Sequence, residues 1–185
     1  MITALDKNTA LILIDLQKGI VVYPTAHPIQ NILTNAAKLV AAFREAGQPI
    51  VIVNVKTAGA AWTKARKEPA SPRPAPGADW LEIVPEIETE PTDIFITKHT
   101  WGAFFETDLH DELKKRGVTG IVIGGVSTSK GVEGTARQAS ELGYNITFAK
   151  DVMTDTIADA HTNSIKYIFP GIGEIGDTDD VIALL

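Results

Sequence analysis

Hydrophobic positions along the chain fall into two periods. Five runs are almost unbroken in aliphatic and β-branched residues: 9–15 (TALILID), 49–55 (PIVIVNV), 92–97 (TDIFIT), 119–124 (TGIVIG) and 145–149 (NITFA). Runs of this kind, bounded by Gly, Pro or Asp, predict strands buried on both faces, as in a parallel sheet. Between them the apolar residues recur at helical spacing. Residues 29–46 place Ile32, Leu33, Ala36, Leu39, Val40 and Phe43 on one stripe, and Gly47 stops the helix. Residues 108–116 carry acids before bases, which suits the helix dipole, and Gly117 follows. Residues 132–142 bring Val132, Ala136, Ala139 and Leu142 near one face, ending at Gly143, and residues 158–169 form a last helix stopped by Pro170. Alternating strands and helices predict an α/β fold, a doubly wound parallel β-sheet with right-handed crossovers and helices on both faces.

The length of 185 residues fits a single domain over residues 1–185. Residues 58–79 interrupt the alternation with Pro69, Pro72, Pro74 and Pro76, among Lys64, Arg66, Lys67 and Arg73. A stretch this long without its own pattern is a functional loop or a surface insertion. A net charge of −6 argues against a nucleic-acid partner and against an anionic membrane surface. The chain has no cysteine, so disulfides, thiolate metal sites and thiol catalysis are all excluded. The amino terminus lacks a signal-peptide pattern and no apolar run is long enough to span a bilayer, so a cytoplasmic protein is expected.

In open α/β sheets, ligands bind beyond the carboxyl ends of the strands. Asp15 closes the first apolar run and Lys98 the third, so both are expected at that edge. Each has a plain alternative, a turn cap for Asp15 and a solvated charge for Lys98. If they meet, each favours the charged form of the other, and burial opposes this. The segment 124–131 (GGVSTSKG) joins the fourth run to a helix. Its backbone N–H groups suit an anion or a developing oxyanion. It has neither P-loop nor dinucleotide-binding spacing.

Three segments together resemble the isochorismatase-like hydrolase family. They are Leu11-Ile12-Leu13-Ile14-Asp15-Leu16-Gln17; residues 98–107 (KHTWGAFFET); and residues 125–144 (GVSTSKGVEGTARQASELGY). Asp151 and Met153-Thr154-Asp155 also look familiar. The likeness runs over nearly the whole chain, in order. Most relatives carry a cysteine nucleophile where this chain has Gly131. Glycine closes the thioester route and resembles true isochorismatases, which release pyruvate from a vinyl ether. The resemblance therefore implies catalytic roles for Asp15, as general acid, and Lys98, with Gly131 leaving room beside them. It implies substrate or oxyanion contacts from Gln17, Val126, Ser127, Trp101 and Phe104, and a cis peptide at Val126–Ser127. It also implies no cofactor, a small carboxylated substrate, and a homodimer or higher homo-oligomer.

Other residues carry weaker expectations. Ser127, Thr128 and Ser129 offer hydroxyls, with no matched histidine base visible in the sequence. Trp62 could line a pocket, where Phe104 has core packing as its alternative; Lys64, Arg66 and Arg73 could grip a carboxylate. His27, His99, His110 and His161 are scattered and suggest no metal site. Two rival functions stand beside the vinyl-ether reading. One is a C–N hydrolase in which Asp15 activates water. The other is a catalytically inactive small-molecule-binding homologue.

Overall fold

Each of the five apolar runs becomes a strand: β1 (Thr9–Ile14), β2 (Ile50–Val55), β3 (Ile94–Lys98), β4 (Gly120–Val126) and β5 (Asn145–Thr154). A sixth, β6 (Glu174–Gly176), is too short to carry a sequence signal. They form one sheet of order β3-β2-β1-β4-β5-β6 with every neighbouring pair parallel. The computed structural model describes residues 2–56 and 77–185. Most of the 58–79 segment therefore lies outside the described residues, and Trp62, Lys64, Arg66 and Arg73 with it.

The two-residue period of a strand divides the core. Ala10, Ile12 and Ile14 of β1 point to one face, where Leu109, Leu113, Val132, Ala136 and Ala139 pack. Leu11 and Leu13 point to the other, against Ile32, Leu33, Ala36, Leu39, Val40 and Phe43. Those six are the predicted stripe of α2 (Ile29–Glu45), all buried, and each contributes roughly 1.5–3 kcal/mol by leaving water, less for the alanine. The remaining helices are α1 (Lys18–Val21), α3 (Leu109–Lys115), α4 (Glu133–Glu141), α5 (Ala158–Asn163) and α6 (Thr178–Ile182).

Three local expectations change. Leu142 is 44% exposed because α4 ends at Glu141 and Leu142 is its C-cap. The expected helix over 158–169 is α5, then a wide π-type turn (Ser164–Ile168), then a single 3₁₀ turn (Phe169–Gly171) that contains Pro170. Strand β5 runs past its expected end because its register against β4 shifts between Ile123 and Gly125, so that Met153 and Thr154 pair with Gly125 and Val126. That shift carries the end of β5 to the carboxyl edge beside β1 and β4. The chain builds outward from β1 to β3 and then returns to β4 on β1's other side, so the switch point lies between β1 and β4. Among the described residues no helix is long and apolar enough to cross a membrane.

Candidate active site

Asp15 is the first residue beyond β1, and it leaves the strand with φ +53°, a left-handed conformation uncommon outside glycine. Its N–H still donates to Val53 O at 2.9 Å. Lys98 is the last residue of β3, two strands away. Its side chain reaches back across the end of β2, and Nζ donates to Asp15 Oδ2 at 2.7 Å and to Thr100 O at 3.1 Å. The ion pair is shut off from water, with Asp15 4% and Lys98 1% exposed. The second carboxyl oxygen, Asp15 Oδ1, is buried and has no hydrogen-bond partner among the described residues. Burial pushes the Asp15 carboxyl up to about 6, and the Lys98 ammonium pulls the other way. This carboxyl therefore gains and loses its proton close to neutral pH, as a general acid must.

The third member comes from beyond β4. Gly125 has φ +127°, and a Cβ there would lie 2.1 Å from Ile14 O, so only glycine lets β4 pass the end of β1 this closely. The Val126–Ser127 peptide is cis. A wide turn (Thr128–Val132) then leads into α4, and Gly131 sits buried within it. A Cβ on Gly131 would lie 3.3 Å from Asp15 Oδ2, 2.8 Å from Ile14 Cγ2 and 3.5 Å from Val126 O. Position 131 therefore faces the oxygen that takes the lysine's hydrogen bond, and the space a side chain would need is partly filled by Ile14. The structure thus brings Asp15, Lys98 and Gly131 together from three separate strand ends.

The expected contact residues fare differently. Gln17 is fully buried, and its amide serves the backbone: Oε1 accepts from Val55 N–H at 2.6 Å, and Nε2 donates to Trp80 O at 2.8 Å and Val55 O at 3.3 Å. It ties β1's exit to the end of β2, with both polar atoms of its amide bonded to backbone. Phe104, partly buried, packs against the hydrophobic core and stacks on Tyr144, with ring centroids 5.8 Å apart, which is the core packing weighed for it. Trp101 is 56% exposed, and its Cβ lies against Gly134 at the start of α4. The Val126 side chain is buried in the α2-side core, so only its peptide groups face the turn. Ser127 is half-buried, and its carbonyl accepts from Lys130 N–H and Val132 N–H.

The four histidines are scattered in the sequence, with none near the turn hydroxyls, but the fold brings two of them together there. The His27 and His161 ring centroids are 4.5 Å apart. His161 Nδ1 is 2.8 Å from Thr128 Oγ1, and His27 Nδ1 is 3.0 Å from Thr154 Oγ1. Thr128 is buried, and its hydroxyl is taken up by His161. Asp155 accepts from Ser129 N–H and Oγ–H, both at 2.8 Å, and from Ile157 N–H. Asp151, by contrast, anchors α6 and α2 through Thr178 and Asn35. A cavity of about 330 Å³ lies at the opposite, amino-terminal edge of the sheet. Its Asp6 and Glu174 carboxylates are taken up by Thr119, Asn145 and Thr3. Among the described residues no three His, Asp or Glu side chains gather as metal ligands would.

Comparison with known proteins gives this geometry a setting. The isochorismatase domain model matches residues 9–180. An uncharacterized isochorismatase family protein of Escherichia coli O157:H7, YecD, is 39% identical over 97% of both chains. The solved structure of an isochorismatase family protein from Burkholderia thailandensis superposes with a TM-score of 0.93 and 36% identity, covering 100% of this chain and 99% of that one. The ureidoacrylate amidohydrolase RutB of Variovorax paradoxus is 27% identical over 80% of this chain and 68% of its own. A parallel sheet of this order, matched along almost its entire length, leaves one assignment: the chain is an isochorismatase-like hydrolase and belongs to the isochorismatase family.

Proposed function

We propose that this hydrolase cleaves an isochorismate-type vinyl ether by acid catalysis, without a covalent intermediate. The observation that carries the reading is the Asp15 carboxyl. It is buried, held up to about 6, bonded to Lys98 through one oxygen, and unpartnered at the other among the described residues. Beside it stands Gly131, to which the resemblance assigns the place of the family's nucleophile, and which has no side chain to attack a carbonyl.

The protonated Asp15 carboxyl gives its proton to the terminal carbon of the enol ether, and the ether carbon becomes an oxocarbenium. Water adds to that cation and returns a proton to the Asp15 carboxylate. The hemiketal then collapses, releasing pyruvate and the dihydrodiol alcohol. Lys98 keeps the carboxyl aimed and stabilises the carboxylate formed in the first step. A side chain at position 131 would crowd Ile14 Cγ2 and Asp15 Oδ2, so glycine lets the turn lie close against the carboxyl.

The test is direct. Purified protein is given isochorismate, and pyruvate is followed by coupled reduction with lactate dehydrogenase. Parallel reactions with ureidoacrylate, nicotinamide and other amides are followed by ammonia release. Pyruvate from wild type and none from Asp15→Asn supports the reading. Ammonia without pyruvate makes the protein an amide hydrolase in which Asp15 activates water. Turnover of nothing, with ligand binding intact, makes it a binding homologue.

A further inference from the structure

The turn that carries Gly131 is held from outside by a set of groups that the chemistry above does not use. Three segments meet there: the loop between α1 and α2, the end of β5, and α5. Ala26 N–H donates to Asp155 O at 2.8 Å and His27 N–H to Thr154 Oγ1 at 3.2 Å, which pins the loop to β5. Asp155 takes the N–H and hydroxyl of Ser129. Ser164, just after α5, donates to Glu133 Oε2 at 2.6 Å, at the far end of the turn. His161, on α5, meets Thr128 at its near end.

The Thr128–His161 bond has a definite direction. Thr128 Oγ1 is buried, and its only polar partner among the described residues is His161 Nδ1. A buried hydroxyl needs an acceptor for its proton. Thr128 therefore donates and Nδ1 accepts, which requires a neutral imidazole protonated at Nε2. Burial, together with His27 alongside, holds His161 below its ordinary histidine value, and the Asp155 carboxylate opposes this. The other charged residues on the elements packed against α5, and on α5 itself, are Lys130 in the turn, Glu133 at the start of α4 (also bonded to Arg137) and Asp159. When His161 takes a second proton, Nδ1 becomes a donor facing a donor. Thr128 then has to turn its O–H toward a buried wall, and an imidazolium stands 4.5 Å from a second titratable ring.

We propose that His161 is a positioning residue for the hydrolytic site: its neutral imidazole, packed beside His27, holds Thr128 and so fixes the turn that sets Gly131 against Asp15, and protonation of the His161 imidazole releases that hold. The inference rests on the reading of Asp15, Lys98 and Gly131 as the reacting site. It predicts a rate that declines on the acid side through His161, in addition to an alkaline decline set by Asp15.

Two measurements test it, one independent of substrate. In Asp15→Asn protein, which no longer titrates at residue 15, the Gly131 backbone amide resonance is followed against pH. It should move with a midpoint below the ordinary histidine value, and the movement should vanish when His161→Asn is added. Asparagine keeps an amide near the place of Nδ1 but does not titrate. In protein with wild-type Asp15, His161→Phe should lower kcat about five- to tenfold, the worth of one neutral hydrogen bond, with little change in KM. His161→Asn should regain most of that rate and lose the acid limb. A Gly131 amide indifferent to the imidazole titration overturns the proposal. So does His161→Phe with the wild-type kcat and acid limb. If no isochorismate is turned over, the functional reading falls, while the amide titration still decides whether His161 positions the turn.

Discussion

Replacing Asp15 by asparagine should make this protein more stable at neutral pH while abolishing its chemistry. The argument starts from the environment of the carboxyl. In the fold it titrates at about 6 against an ordinary value of 3.8, because burial outweighs Lys98. Between those two values the folded chain keeps a proton that the unfolded chain has given up, so stability falls as pH rises. Below 3.8 the penalty is absent, and above 6 it is complete. A difference of about two pH units corresponds to roughly 3 kcal/mol. Asparagine resembles the protonated acid in shape and charge, so Asp15→Asn should match wild type near pH 4 and exceed it by about 3 kcal/mol at pH 7 or above. For a chain of this size that is a rise in Tm of about 6–12 °C. Urea denaturation of both proteins at intervals from pH 4 to pH 8 measures it, and subtracting the curves removes every other titrating group. A gap that stays constant with pH, or a variant that falls further behind wild type as pH rises, would refute the reasoning. Either result would mean that Lys98 repays the carboxylate's desolvation in full.

Three further outcomes follow from the same contacts. Lys98→Met removes the one influence that lowers the Asp15 carboxyl, so the alkaline limb of the kcat/KM profile should move to higher pH. Gly131→Ala places a methyl 2.8 Å from Ile14 Cγ2 and should cost about 1–3 kcal/mol of stability, read as a lower urea midpoint, together with slower turnover. Gln17→Leu removes two buried hydrogen bonds and a part-buried one and orphans Val55 N–H, and should cost about 2–4 kcal/mol in the same assay.

Which features were legible in the sequence follows from how local their physics is. The α2 stripe was readable because six buried residues obey one period over seventeen residues. The central strands were readable because burial on both faces leaves apolar residues at every position. By contrast, β6 and α6 have three and five residues, and their existence depends on β5 and on Asp151 capping Thr178. The placement of Asp15 and Lys98 at one edge followed from strand ends alone, because parallel strands put all their carboxyl ends on the same side. That rule assigns a side of the sheet but no depth or direction. Gln17 stands at the same edge, two residues after Asp15, yet its amide turns toward Val55 and Trp80, and no local pattern separates a glutamine that binds backbone from one that binds substrate. His27 and His161 make the reverse case. They are 134 positions apart, on a loop and a short helix, and the register shift that lengthens β5 brings Thr154 to His27 and Asp155 to Ser129 of the turn. The groups proposed to react thus sit where secondary structure alone delivers them. The groups that hold them in place are assembled by tertiary contacts, and that is why the site was visible in the sequence before its supports were.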